Sequence, residues 1–171
     1  GTYIVTVTNG FGCSATAQSV ITASTLIANP QSFSVCNGTV ATLSAANPGK
    51  TYLWSNGATT QTISVSVAGS YTVTVSDVSG CTLSFVSNLS TYPIPVPNFT
   101  NGLTCANIPV VFSNTSSITS GSIISYSWKF GDGSISSQQN PTHQYTAAGT
   151  YSVCLKVTSN NGCIDSICKT I

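Results

Sequence analysis

The chain has 171 residues, a formal charge of +1 and charged side chains at only 4% of its positions, against about a quarter in ordinary domains. It has no Glu, Arg or Met, and Lys50, Lys129, Lys156 and Lys169 stand singly, so no basic patch can neutralise several phosphates or hold an anionic membrane surface. No apolar run approaches the roughly 20 residues of a membrane span, which excludes nucleic acid and membrane insertion from the expected partners.

The chain opens on Gly1-Thr-Tyr3-Ile-Val5-Thr-Val7, in which aromatic and β-branched residues alternate with polar or apolar partners, followed by Asn9-Gly10 and Gly12-Cys13. The same pattern returns as Gly69-Ser-Tyr71-Thr-Val73-Thr-Val75 before Gly80-Cys81, and as Gly149-Thr-Tyr151-Ser-Val153-Cys154-Leu155-Lys-Val157 before Gly162-Cys163. A period of two puts one set of side chains on one face of a strand, and a Gly-containing turn followed by a second such segment reads as a β-hairpin. Internal repetition takes precedence over any other reading. It divides the chain into residues 1–23, the C-terminal hairpin of a preceding truncated domain, and two whole domains at 24–94 and 95–171. The expected fold is all-β: tandem immunoglobulin-like β-sandwich domains preceded by the last hairpin of a truncated one. Because Gly1 falls inside the repeat, the chain reads as an excerpt, and Cys13 is expected to bond to an upstream residue of the same chain or to a neighbouring chain.

Residues 24–94 contain strand patterns at Gln31–Cys36, Val40–Leu43, Tyr52–Trp54 and Thr62–Val67, then the repeat hairpin, with turn signals at Asn37-Gly38, Asn47-Pro48-Gly49 and Asn56-Gly57. Short strands at this spacing indicate a sandwich. The order Cys36, Trp54, Cys81 is similar to the immunoglobulin arrangement, although Cys81 follows the hairpin turn where that arrangement has a cysteine inside a strand. Tyr52-Leu-Trp54-Ser-Asn56-Gly57 through Gly80-Cys81 also resembles repeats in large surface adhesins of gliding bacteria. Tyr92-Pro93-Ile-Pro95-Val-Pro97 is expected to be a short, semi-rigid spacer of polyproline type.

Residues 95–171 hold Tyr126-Ser-Trp128-Lys-Phe130-Gly131-Asp132-Gly133, then Asn140-Pro141-Thr-His143-Gln-Tyr145, then Ala148-Gly149-Thr-Tyr151-Ser-Val153. Together these resemble the polycystic-kidney-disease (PKD) domain, an immunoglobulin-like β-sandwich. Lys129 stands where the family often has Asp or Asn, and Ala148 where it often has Pro. Read physically, Tyr126, Trp128 and Phe130 share one strand face, Gly131 and Gly133 permit a tight turn, and Asp132 can cap it. Pro141 sets a bend, and His143 and Tyr145 point the same way. The expected role of Trp128, Phe130, Gly131, Asp132, Gly133, Asn140, Pro141, His143, Tyr145, Gly149 and Tyr151 is structural.

Seven cysteines without a C-x-x-C pair indicate disulfides in an oxidising, extracellular or cell-surface setting. Cys36 and Cys105 each open a domain, while Cys81 and Cys163 each follow a repeat turn, so repeat correspondence pairs Cys36 with Cys81 and Cys105 with Cys163. Cys154 and Cys168 lie equally far from Asn161 on opposite arms of a hairpin and are expected to face each other.

One His and three Asp leave little for acid–base chemistry, and Asp77, Asp132 and Asp165 form no spaced pair. No catalytic residue, cofactor or metal is expected; Asp132 with nearby carbonyls is the sole calcium candidate. Four sequons, at Asn37, Asn88, Asn98 and Asn114, are frequent in so polar a chain, and Asp165-Ser166-Ile167 resembles a short bacterial O-glycosylation signal. The expected function is a structural or adhesive segment of a long secreted multi-domain surface protein, an adhesin stalk or extracellular filament. Its partners are neighbouring repeats of the same chain or copies in a filament, with surface glycans or host or cell-surface proteins as further candidates. The alternative is a non-catalytic polysaccharide- or protein-binding module beside a secreted hydrolase, which calls for an exposed line of aromatics.

Overall fold

The computed structural model describes residues 1–21 and 23–171; Thr22, the expected end of the first hairpin's second arm, lies outside them. Among the described residues the chain is all-β, with fifteen strands and no helix. β1 (Thr2–Thr8) and β2 (Ser14–Val20) form the first hairpin, followed by β3 (Ser32–Cys36), β4 (Ala41–Ser44), β5 (Thr51–Trp54) and β6 (Thr62–Val65). β7 (Gly69–Ser76) and β8 (Thr82–Tyr92) carry the second copy of the repeat. Then come β9 (Phe99–Asn101), β10 (Pro109–Asn114), β11 (Ile123–Lys129), β12 (Ile135–Ser136) and β13 (Thr142–Gln144), and β14 (Ser152–Ser159) with β15 (Ile164–Thr170) forms the third copy. Strand orders are β1-β2, β3-β8-β7-β5, β4-β6, β13-β10-β9 and β12-β11-β14-β15, the sheets of tandem β-sandwiches.

The three repeat turns are alike in detail. The N–H of Asn9, Asp77 or Ser159 donates to the carbonyl of Cys13, Cys81 or Cys163 at 2.9, 3.0 and 2.8 Å, and its own carbonyl accepts from Gly12, Gly80 or Gly162. The side-chain oxygen of the same Asn, Asp or Ser accepts the cysteine N–H at 3.0, 3.0 and 3.1 Å. Each turn needs a residue in the left-handed region, and the glycines hold φ of 83°, 80° and 78°. Glycine bears that conformation without steric cost, and short polar side chains can bond back to the backbone of the turn, so the motif dictates the turn locally.

The chain divides into two compact units. One comprises Gly1–Gln31, Leu43–Ile63 and Tyr71–Ser87. In it β5 pairs antiparallel with β7, Trp54 opposite Val73, and Leu43, Ala45, Trp54, Ile63, Val73, Val75 and Phe85 are buried. The Trp54 indole Nε1–H donates to the Thr60 carbonyl at 2.9 Å, so the ring is enclosed without leaving its polar atom unpaired.

The other unit comprises Ser32–Thr42, Ser64–Ser70 and Asn88–Ile171. Its core is Phe99, Val110, Phe112, Trp128, Phe130, Tyr145, Val153, Leu155 and Val157, drawn from both of its facing sheets. Alternation explains the selection: Val153, Leu155 and Val157 occupy one face of β14 while Ser152, Lys156 and their neighbours point out. The rings interlock edge to face, with Phe99 at 5.1 Å and 69° from Trp128 and at 6.2 Å and 61° from Phe112, the arrangement that brings ring edges to ring faces.

In the same unit β3 runs parallel to the end of β8, Cys36 opposite Tyr92. The spacer expected at Tyr92–Pro97 is tied down at both ends. Asn37 N–H donates to the Tyr92 carbonyl at 2.8 Å, and Val96 exchanges hydrogen bonds with Ser117. Proline lacks an N–H, but Val96 between two prolines keeps its own and so can still pair.

Candidate functional site

The turn after β11 gathers hydrogen bonds and ring contacts from several of the motif residues. Trp128 and Phe130 are buried on one face of the strand, and the Trp128 Nε1–H donates to the Gln138 carbonyl at 2.9 Å. Gly131 follows at φ 89°; a Cβ there would lie 2.9 Å from both the N and the O of Ser152, so the position demands glycine on conformation and on space together. Gly133, at φ 96°, faces open space and is required by conformation alone.

Asp132 between them closes the turn. Its Oδ1 accepts the Ser134 N–H at 2.9 Å and its Oδ2 receives His143 Nε2 at 2.7 Å. Burial raises this carboxyl, but the bonds from Ser134 and His143 and the charge of His143 outweigh burial, and Asp132 titrates below the usual carboxylate value. His143 lies stacked on Phe130 at 4.2 Å and meets the edge of Tyr145 at 4.5 Å. Tyr145 stacks at 4.0 Å on Tyr151, which is half-buried, and donates its hydroxyl to the Phe130 carbonyl at 3.0 Å. Burial first, then the negative charges of Asp132 and Tyr151, push the Tyr145 phenol up to about 12. Asn140 Oδ1 accepts the Asn114 N–H at 2.8 Å and the Pro141 carbonyl accepts Phe112 N–H at 2.9 Å, so this segment pins β10. Gly149 adjoins the Tyr151 ring, about 3.7 Å from where a Cβ would stand.

These side chains bond and stack within the turn and against the strands beside it. The carboxylate that is the calcium candidate spends both oxygens on Ser134 and His143, and no group of three or more His, Cys, Asp or Glu able to hold a metal occurs among the described residues. The pairings of Asn140 and Pro141 with β10 have no counterpart in the sequence reading, because Asn114 sits in a different strand pattern and no local signal links the two.

The cysteines divide differently from the repeat correspondence. Cys154 is bonded to Cys168, directly opposite it in the β14–β15 register. Cys36 is bonded to Cys163, in place of the expected Cys36–Cys81 and Cys105–Cys163, while Cys13, Cys81 and Cys105 are free and exposed. The reason is strand length. Cys36 lies opposite Tyr92 at one end of β8, whereas Cys81 precedes Thr82 at the other, about 36 Å away at roughly 3.3 Å per residue. Bonded cysteines need Cα atoms within about 7 Å. Cys105 likewise shares a groove with Ile171, beyond the end of β15, while Cys163 precedes its start. In both repeats the two cysteines expected to pair sit at opposite ends of the long hairpin.

Comparison with known proteins agrees with this architecture. A family model described as "PKD domain" matches residues 92–171. The pre-pro-metalloprotease PrtV of Vibrio cholerae is 44% identical over 77 residues, 45% of this chain and 8% of that protein. A microbial collagenase of Vibrio alginolyticus is 52% identical over 50 residues, 29% of this chain and 6% of that one. The crystal structure of the PKD1 domain from V. cholerae PrtV aligns with 42% identity and a TM-score of 0.43, covering 46% of this chain and 94% of that domain. The chain thus spans less than a tenth of the two enzymes it matches and nearly all of the isolated domain. Through residues 92–171 it belongs to the PKD-domain family.

Proposed function

We propose that this chain is a non-catalytic, tension-bearing segment of a long extracellular surface protein, built of an immunoglobulin-like repeat and a PKD domain divided near residue 94. The observation that carries this reading is the Cys36–Cys163 bond, which spans the Tyr92–Pro97 connection and provides a second covalent route past it. Pulled from its ends, the chain conducts force through the disulfide, and residues 37–162 are spared extension. Two disulfides also favour an oxidising compartment.

A second reading, a polysaccharide- or protein-binding module beside a secreted hydrolase, is favoured by the names of the relatives, which are proteases and collagenases. Flat glycan-binding faces are built from exposed rings. Here Trp54 and Trp128 are fully buried and Tyr145 nearly so, which leaves their rings to the cores and favours the tension-bearing segment. A glycan array combined with a chitin pull-down tests the choice. The expected result is no retention of the chain, and retention that survives washing and competes with soluble oligosaccharide overturns it in favour of the binding module.

A further inference from the structure

The two cysteines of the Cys36–Cys163 bond stand in two different kinds of turn, and each of the three free cysteines stands in one of the same two kinds. Cys36 and Cys105 occupy the same kind of turn. The Cys36 carbonyl accepts the N–H of Thr39 at 2.9 Å and that of Cys105 accepts the N–H of Ile108 at 3.3 Å. The third residue of each turn is left-handed, Gly38 at φ 80° and Asn107 at φ 62°. Cys13, Cys81 and Cys163 occupy the same glycine turn, with the same backbone and side-chain bonds. A turn cysteine of the first kind, before the Tyr92–Pro97 connection, is thus bonded to a turn cysteine of the second kind after it. Within one repeat the two kinds stand at opposite ends of a long strand and cannot meet.

Cys105 is moreover set in a recess. It lines a groove of about 360 Å³ together with Ala106, Ala147, Tyr151 and Ile171, at the end of the PKD sandwich away from Cys163. The exposed thiol therefore stands in an apolar seat, where the turn of a further sandwich has a surface to rest on.

We propose that Cys105 and Cys81 are the open halves of further clasps of the kind that Cys36–Cys163 closes, each made with another repeat of the same construction. Cys105 takes the cysteine that follows a glycine turn, and Cys81 takes the cysteine that ends an early strand; Cys13, in the same turn as Cys81, takes the same class of partner. The inference rests on the reading of the chain as part of a repeat array. Each clasp forms by thiol–disulfide exchange. Two cysteine thiols become one disulfide, and their two electrons and two protons pass to an oxidised dithiol carrier, which leaves as two thiols. The loop from Cys36 to Cys163 and the loop that starts at Cys105 overlap over residues 105–163, so each clasp shortens the backbone through which tension along the array has to pass.

The test is the native polypeptide, collected without reductant, its free thiols capped with N-ethylmaleimide, digested with pepsin in acid and mapped without reduction. The expected result is Cys105 joined to a cysteine following a glycine turn and Cys81 joined to a cysteine ending an early strand, both uncapped. If the partner peptide belongs to the same polypeptide, electrophoretic size is unchanged by reduction. If it is Cys13 or Cys81 of a second copy, reduction lowers the size. A Cys105→Ser variant then leaves the partner cysteine newly capped. Maleimide on Cys81 or Cys105, or a bond between these two within one polypeptide, with size unchanged by reduction, overturns the inference. Where the polypeptide does contain further repeats, that result sinks the clasp alone, and where it contains none, the array reading falls with it.

Discussion

The first and third copies of the repeat have nearly the same residues and opposite surroundings. Tyr3, Val5 and Val7 in β1 are 60%, 61% and 67% exposed, whereas Val153 and Leu155, which stand at the places of Val5 and Val7, are 0% exposed in β14. Both are antiparallel hairpins closed by the same glycine turn, the third longer than the first by two residues between its tyrosine and its turn cysteine. What differs is the sheet on either side: β14 lies between β11 and β15 and under the rings of Trp128 and Phe130, while β1 pairs with β2 in a two-stranded sheet. Alternation is therefore sufficient for a hairpin but does not itself bury a face, and the hydrophobic gain belongs to the facing layer.

The sharpest way to break this comparison is to remove one ring from each side of it. Trp128→Ala empties a fully enclosed site, and the expected loss is about 3 to 5 kcal/mol in chemical denaturation. Tyr3→Ala removes an exposed ring and is expected to change stability by less than about 0.5 kcal/mol. Equal losses would show that β1 is as enclosed as β14.

The Cys154–Cys168 bond closes a 14-residue separation within the third hairpin, where the first hairpin has Thr6 opposite Thr16 and no staple. On the chain-entropy model, Cys154→Ser together with Cys168→Ser is expected to cost about 3 kcal/mol. A melting curve unchanged by the double substitution would mean that packing against β11 alone holds the hairpin.

Glycine substitutions separate conformational strain from crowding. Gly162→Ala meets no atom within 4 Å and pays only for its φ of 78°, whereas Gly131→Ala pays a similar strain and drives its Cβ against the Ser152 backbone. Conformation alone costs roughly 1 to 3 kcal/mol, so Gly131→Ala is expected to be clearly the worse of the two by urea denaturation, and parity would refute the close approach of the Asp132 turn to β14.

The smallest effects are those of pH, and two of them belong to the PKD domain. Asp132 has a depressed folded value, so its contribution is present above the unfolded carboxylate value near 4 and is lost as pH falls through the folded one. Asp132→Asn should flatten that acid limb. Tyr145 is raised, so its contribution is present below the phenol's ordinary value near 10 and is lost as pH climbs toward about 12. Tyr145→Phe should remove this alkaline loss while adding a pH-independent cost for the missing bond to Phe130. Persistence of either limb in its variant would assign it to another group.

Local chemistry accounts for most of what the sequence made legible. The strand faces of Trp128, Phe130, Val153 and Leu155 follow from a period of two, and the turns at Gly12, Gly80 and Gly162 follow from a glycine beside a side chain that bonds back to the backbone. Cys154 and Cys168 could be matched because a hairpin's register is counted outward from its turn. The PKD motif was recognisable for a similar reason, since Gly131, Asp132 and His143 answer to one compact turn.

The partner of Cys36 was decided by tertiary structure. Periodicity says which face a residue occupies but is silent on which end of one strand lies beside which end of another. Only the parallel alignment of β3 with the end of β8, and the sheet that seats the Ser159–Cys163 turn, separated Cys36 from Cys81 by the length of a strand and brought it to Cys163. The same limit hid the closing of the Tyr92–Pro97 connection, because the bridge between Val96 and Ser117 joins residues whose neighbours carry no common pattern.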